Sequence, residues 1–99
     1  MLYQVLTYTT IANYEEKRKP YRSLHFDYVR KYAKSGDLVM GGALGSPASQ
    51  ALLVFLSDSP RVAENFAKSD PYVLNGMVKE WNVKPWNELV SELDSQKKT

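Results

Sequence analysis

The residue best suited to chemistry is His25, the only histidine of this 99-residue chain. It lies in residues 21–35, whose apolar side chains recur at helical spacing and predict an amphipathic helix. These side chains are Tyr21, Leu24, Tyr28, Val29 and Tyr32. His25 falls on the same stripe, so a ring that titrates near neutral pH is expected to face the interior or a cleft. It is either a proton-transfer group or a core histidine bonded to a backbone carbonyl.

Other common chemistries have no supporting pattern. The chain has no cysteine, which excludes thiol nucleophiles, and a single histidine with scattered carboxylates gives no metal-ligand spacing. Ser46 and Ser57 lack the context of a nucleophile elbow. The glycines at 41–45 are not followed by the lysine and helix of a phosphate loop. We therefore expect no metal and no cofactor.

Charge and hydropathy narrow the classes of partner. The formal net charge of +2 is too small to imply a polyanionic partner. The basic run 17–19 follows two glutamates and predicts a solvated loop. No apolar run approaches the roughly 18–20 residues that span a bilayer, and the N-terminus enters a strand pattern without a secretory leader. We expect a cytoplasmic protein with no membrane and no nucleic-acid partner.

The predicted elements alternate in a simple order: strand, helix, strand, strand, helix, strand, helix. The strands are Leu2–Thr9, Asp37–Leu44, Ala51–Leu56 and Met77–Lys84, the last ended by Pro85. The helices are residues 21–35, stopped by Gly36, then one opening at Ser59-Pro60, and a C-terminal one through Trp86, Leu89, Val90 and Leu93. Asp70-Pro71 predicts a capped short turn that ends near Gly76. Trp81 and Trp86 are expected to anchor the core and the last helix.

This βαββαβ order predicts an α+β, ferredoxin-like fold with both helices on one face of an antiparallel sheet. We expect a single domain over 1–99, with a core at 1–86 and a C-terminal helix and tail at 87–99. The strands are apolar on both faces, so the open face is expected to be covered by a second copy in a homodimer or higher oligomer. RNA-recognition modules share the element order, but the third strand here is aliphatic and lacks their aromatic and basic signature.

Four short motifs, in order, resemble those of the YciI-like (YCII-related) family over residues 1–86. They are Arg22-Ser23-Leu24-His25, Gly41-Gly42-Ala43-Leu44, Asp70-Pro71-Tyr72-Val73 and Val83-Lys84-Pro85-Trp86. The chain departs from the family in having Gly42-Ala43 where Gly-Pro is frequent, and in continuing past Trp86. The resemblance implies a dimeric α+β barrel, in which two ferredoxin-like sheets pack face to face. It also implies a cleft with a His–Asp pair, here His25 and Asp70, although Asp70 could serve only as the cap of the following turn.

Three further residues are candidates for substrate binding. Arg22 could clamp a carboxylate or phenolate, or could be a solvated residue paired with Asp70 or Asp27. Gly42, with Gly41, could let a ligand touch the backbone, or could mark a β-bulge. Tyr72 could stack on a planar ligand or donate a hydrogen bond, or could pack in the core.

The hypothesis that follows is a small cofactor-free enzyme. His25 would act as general base or acid, Asp70 would orient it, and the substrate would be a small anionic cyclic or aromatic metabolite. The reaction would be a proton transfer of the elimination, isomerisation or lactone type. The alternative is a non-catalytic homodimer that binds a metabolite or acts as an accessory to another protein.

Overall fold

The computed structural model describes residues 2–91 as a four-stranded sheet with its helices. Its elements are β1 (Tyr3–Thr10), α1 (Tyr14–Lys17), a 3₁₀ turn (Lys19–Tyr21), α2 (Arg22–Ser35), β2 (Leu38–Leu44), β3 (Gln50–Leu56), α3 (Arg61–Ser69), α4 (Pro71–Leu74) and β4 (Val78–Trp86). The strand order is β2-β3-β1-β4, and each neighbouring pair is antiparallel. The predicted α+β, ferredoxin-like fold is confirmed. The short helix α1 was not expected, because its charged sequence predicts a loop.

The core lies between one face of the sheet and helices α2 and α3. Alternate residues of β1 are buried, and Leu6 and Tyr8 join Phe55 of β3 and Phe66 of α3 in one cluster. The Phe55 and Phe66 rings meet nearly edge to face, with centroids 5.3 Å apart. Because Phe66 is fully buried among the sheet and α2, it fixes how both helices dock.

Helix α2 presents less of its predicted stripe to the core than its sequence suggests. Tyr28, Val29 and Tyr32 pack against the core, whereas Leu24 is 57% exposed, so its assignment to the stripe is wrong. Helical spacing fixes the angle of each side chain but not how far along the helix the neighbouring elements reach. The predicted stop is confirmed: Gly36 caps the helix at φ 89°, a left-handed conformation that favours glycine.

The C-terminal part of the core differs most from prediction. β4 continues through Pro85 to Trp86, which is tolerated because β4 is an edge strand and one N–H fewer costs no ladder bond there. Trp86 is 52% exposed and anchors no helix among the described residues. Residues 87–91 form no helix, and Leu89 is 96% exposed, so no packing surface supports one. The predicted helix is therefore wrong over 87–91, and Leu93 and the tail lie outside the described residues.

The sheet face opposite α2 and α3 carries apolar side chains from β2 and β3, together with polar ones from β4, at Glu80, Asn82 and Lys84. Direct partners across an antiparallel pair share a face, and here Val5 pairs with Val54 and Val54 with Met40. Leu52, Leu44 and Trp86 lie on the same side, as the register shows. We call this set, with Tyr3 and Leu56, the open face.

We expect Phe66→Ala to lower the free energy of unfolding by about 3–5 kcal/mol, because it removes a fully buried aromatic ring and leaves a cavity. Urea denaturation monitored by circular dichroism measures the change. Asn65→Ala, at the exposed neighbouring position of α3, is the control and should change stability by less than about 0.5 kcal/mol. Equal effects of the two substitutions would contradict the packing described above.

Candidate active site

The site begins with Asp70, which separates α3 from α4. Asp70 has extended backbone (φ −65°, ψ 127°), and its side chain accepts a hydrogen bond from the backbone N–H of Tyr72, with N···Oδ1 2.9 Å. Pro71 follows as the first helical residue, where the missing N–H costs nothing. Asp70 therefore has the capping role that the Asp-Pro pair predicts.

The same carboxylate joins two further side chains from distant elements. His25 of α2 places Nδ1 2.8 Å from Oδ1 of Asp70, and the Tyr8 hydroxyl of β1 donates to Oδ2 at 2.6 Å. The Asp70 side chain is 0% exposed and that of His25 is 14% exposed. Three donors thus compensate the carboxylate for the water it has lost.

This geometry fixes the roles of the two imidazole nitrogens. An ionised carboxylate can only accept hydrogen bonds, so Nδ1 of His25 donates to Asp70. In the neutral ring Nε2 then carries the lone pair. A histidine held in this tautomer can accept a proton at Nε2 while the carboxylate stabilises the imidazolium that forms.

Tyr72 lies against the histidine. Its ring stacks on the imidazole with centroids 3.8 Å apart and an interplanar angle of 6°, and the edge of Tyr14 meets it at 5.8 Å. The aromatic contacts restrict rotation of His25 and cover one of its faces. Burial raises the pKa of Tyr72 to about 12, so its phenol stays protonated at neutral pH.

Tyr8 is the site residue that the sequence reasoning missed. Burial raises the pKa of its phenol well above its usual range, and the adjacent negative charge of Asp70 adds to the effect. Tyr8 lies two residues after Leu6, on the same buried face of β1. A buried tyrosine hydroxyl needs a hydrogen-bond partner, and that requirement was the available signal.

A cavity of about 330 Å³ opens beside the histidine, at the lower end of the size range of small-molecule sites. Its lining residues are Tyr8, Tyr14, Arg18, Arg22, His25, Phe26, Val29, Gly41, Gly42, Ala43, Ala51, Leu53 and Tyr72. Four of the five residues predicted from the sequence as site residues line it, and the fifth, Asp70, is hydrogen-bonded to His25 behind the wall. The wall is largely apolar and aromatic, and the fixed charges among the described lining residues are those of two arginines.

Arg22 lines the cavity and pairs with neither Asp70 nor Asp27, so the alternative of such an ion pair is wrong. Its guanidinium lies 5.0 Å from the centre of the Phe26 ring, and Asp27 pairs with Arg30 instead. Arg18 of the 17–19 run also lines the cavity, which the prediction of a solvated loop did not anticipate. No spacing in the sequence signals this, because Arg18 reaches the cavity only through the turn between α1 and α2.

The glycines of β2 lie in the cavity wall. Gly42 pairs regularly with Leu52, and the irregularity of this ladder falls earlier, between Leu38 and Met40. The alternative of a bulge at Gly41–Gly42 is therefore wrong. A Cβ on Gly42 would meet no atom within 4 Å, whereas one on Gly41 would lie 3.4 Å from Leu53. Gly41 shares the cavity face with Leu53, so its missing side chain leaves backbone open to a ligand, whereas Gly42 shares the opposite face with its partner Leu52.

Within residues 2–91, no group of three or more histidines or acidic residues is placed to hold a metal ion. No helix in this part of the chain has both the length and the apolar character needed to cross a membrane.

The raised pKa values of Tyr8, Tyr28 and Tyr72 predict loss of stability at alkaline pH. The unfolded chain ionises its tyrosines near pH 10 while these remain protonated, so the free energy of unfolding falls as pH rises above about 10, by about 1.4 kcal/mol per pH unit for each such tyrosine. Urea denaturation between pH 8 and about pH 11.5 measures the slope. Tyr72→Phe should reduce this slope relative to wild type; an unchanged slope would contradict the burial of that phenol.

The fold recurs in solved structures of low sequence identity. The 5-chloro-2-hydroxyhydroquinone dehydrochlorinase TftG from Burkholderia phenoliruptrix AC1100, in complex with 2,5-dihydroxybenzoquinone, superposes with a TM-score of 0.71 at 16% identity, over 89% of this chain and 95% of that one. Protein Atu4242 from Agrobacterium tumefaciens superposes with a TM-score of 0.59 at 17% identity, over 94% and 99%. At these identities the likeness is one of fold alone.

Sequence comparison identifies the family to which this chain belongs. A search of curated protein sequences finds no match to this chain. The YCII-related domain, in contrast, matches residues 1–87, the same stretch that carries the four motifs and both residues of the His–Asp pair. The resemblance drawn from those motifs is confirmed, and the chain belongs to the YCII-related family.

Proposed function

We propose that this protein is a small cofactor-free enzyme that moves a proton on a small anionic cyclic or aromatic metabolite. The observation that carries the proposal is the 2.8 Å contact between His25 Nδ1 and Asp70 Oδ1 at the wall of an open cavity. His25 is the general base or acid, and Asp70 is the residue that orients it.

The chemistry follows from the two ends of the imidazole. Nδ1 donates to a buried carboxylate, so Nε2 can take a proton from a ligand in the cavity and return it to another atom of that ligand. Moving one proton between two positions isomerises a substrate. Removing a proton while a leaving group departs from the substrate is an elimination. Both reactions, and lactone opening or closing, need one well-oriented base and no redox partner.

The cavity supports the choice of substrate. At about 330 Å³ it suits a compact molecule, and its wall carries aromatic and aliphatic groups that would contact a ring. Its fixed charges are those of Arg18 and Arg22, and residues 2–91 contribute no aspartate or glutamate to the lining, which favours an anion. A fold neighbour solved with 2,5-dihydroxybenzoquinone is named as a dehydrochlorinase, which agrees with elimination on a ring of this size.

The alternative is a non-catalytic protein that binds a metabolite or serves another protein. It is favoured by the structural roles of the same residues, because Asp70 caps α4 and Tyr72 stacks on His25. In that case His25 would complete a buried polar network beside a binding cavity and would transfer no proton.

We further propose that two copies pack through the open face as a homodimer. The proposal is supported by Met40, Leu44 and Trp86, which are each at least 40% exposed on this face, and by the apolar centre formed by Val5 and Val54. An apolar sheet surface of this kind is usually covered in soluble proteins. The cytoplasmic location stays a prediction from the sequence.

The tautomer of His25 provides the first test of the proton-transfer proposal. We expect ¹⁵N-correlated NMR of the imidazole at neutral pH to show a proton on Nδ1 and none on Nε2. Asp70→Asn should disturb this preference, because an amide no longer presents two acceptor oxygens. Asp27→Asn on the exposed side of α2 is the matched control and should leave it unchanged. A predominant Nε2–H ring in the wild type would contradict the assigned role.

Activity provides the second test. Proton exchange or halide release is measured with chlorinated and unsubstituted hydroxyquinols and their carboxylated analogues. We expect His25→Gln to lower the rate by about 10²–10⁴-fold, the usual contribution of a general base, while circular dichroism shows that the variant is folded. Turnover that survives His25→Gln would exclude histidine catalysis. No turnover of any of these compounds by the wild type would favour the binding protein.

Sedimentation velocity tests the dimer. We expect the wild type to sediment as a dimer at micromolar concentration and Leu52→Glu to sediment as a monomer, since a charge at the centre of the open face cannot be desolvated without a partner. Leu24→Glu introduces the same charge at an exposed position of α2 and should leave the dimer intact. A monomeric wild type would overturn the proposal.

A further inference from the structure

Two guanidinium groups enter the cavity from the segment that joins α1 to α2. Arg18 caps the C-terminal end of α1, and Arg22 is the first residue of α2. The ion pairs found within residues 2–91 are Lys19–Glu16, His25–Asp70 and Arg30–Asp27. Neither cavity arginine belongs to one of them, so neither positive charge is paired with a carboxylate of residues 2–91.

Aromatic rings hold both guanidiniums in place. The guanidinium carbon of Arg18 lies 4.9 Å from the centre of the Tyr14 ring, and that of Arg22 lies 5.0 Å from the centre of the Phe26 ring. A guanidinium that rests against a ring face keeps its charge and directs its N–H groups away from the ring. The arginines are therefore positioned, yet most of their donors are not consumed by the contact.

Arg18 has one buried donor that no described protein group satisfies. Its Nε is shielded from solvent and finds no acceptor among the described residues. A buried N–H without an acceptor is unfavourable and rare in folded proteins. Arg18 lines the cavity, and a rotation of its side chain toward a bound ligand would give this N–H an oxygen acceptor.

We propose that Arg18 and Arg22 form an oxyanion subsite at one end of the cavity, and that its ligand is a small aromatic or cyclic carboxylate. This proposal rests on the cavity of the proposed function and specifies its substrate class. A carboxylate presents two coplanar oxygens that match the fork of a guanidinium. His25 lies three residues after Arg22, about one turn along α2, so a carboxylate held by the arginines places the attached ring beside the imidazole and the apolar wall.

Two probes that differ in one group test the subsite. Salicylate and catechol share a ring and a hydroxyl, but only salicylate carries a carboxylate. Binding is measured by NMR titration of wild type, Arg18→Gln and Arg18→Lys. Lys17→Gln is the matched control, because it removes the same charge from an exposed neighbour that does not line the cavity. The arginine Nε–Hε cross-peak that disappears in Arg18→Lys identifies Arg18 in the wild-type spectrum.

We expect salicylate to bind wild type and to shift the Nε–Hε signal of Arg18 downfield, and catechol to leave that signal in place. Arg18→Gln should weaken salicylate binding by roughly tenfold or more, the loss expected for a charge-assisted hydrogen bond. Arg18→Lys, which keeps the charge but not the fork, should weaken it less. Lys17→Gln should bind like wild type, and circular dichroism should show folded protein for each variant.

Several results would overturn the subsite. These are salicylate failing to bind wild type at millimolar concentration, salicylate binding without a change in the Arg18 signal, and both Arg18 variants binding like wild type. A loss of catechol binding equal to that of salicylate would also overturn it, since this would indicate a structural role for Arg18. Failure of the proposed function is recognised separately: His25→Gln would keep its salicylate affinity while the wild type shows no turnover.

Discussion

The buried carboxylate of Asp70 is the constraint on which the site depends. A negative charge with no exposed surface is costly to fold unless donors surround it. Here the donors come from β1, α2 and α4, through Tyr8, His25 and the backbone N–H of Tyr72. Each of these elements must therefore reach its position for the carboxylate to be satisfied. The polar network and the packing around Phe66 specify the same arrangement of helices on the sheet.

This arrangement restricts both the tautomer and the orientation of the His25 ring. Asp70 fixes its tautomer, and the stacked ring of Tyr72 fixes its plane. At 14% exposure the imidazole contacts the cavity without being generally solvated. Under the proposed function this orientation matters, because a base that is already oriented loses little entropy when a substrate binds. The chain thus uses a capping residue and a core aromatic, both structural in origin, to position a titratable ring.

The sequence predicted those parts of the molecule that local rules govern. Alternation in β1, the glycine stop at Gly36 and the Asp70-Pro71 cap are consequences of backbone chemistry within a few residues, and all three are present. The predictions that failed needed knowledge of distant surfaces. Leu24 has helical spacing but no element above it, and the helix expected after Trp86 has apolar periodicity but no surface to pack on over residues 87–91. The same reason hid the partnership of Tyr8 with Asp70, which are 62 residues apart.

Strand β2 contributes residues both to the cavity wall and to the open face. Gly41, Gly42 and Ala43 of β2 line the cavity, while Met40 and Leu44 of the same strand lie on the open face. A strand moves as a unit because its ladder bonds to β3 tie its residues together. Any partner seated on the open face therefore also contacts the strand that forms the cavity wall. The cavity wall and the open face therefore depend on the same pairing of β2 with β3.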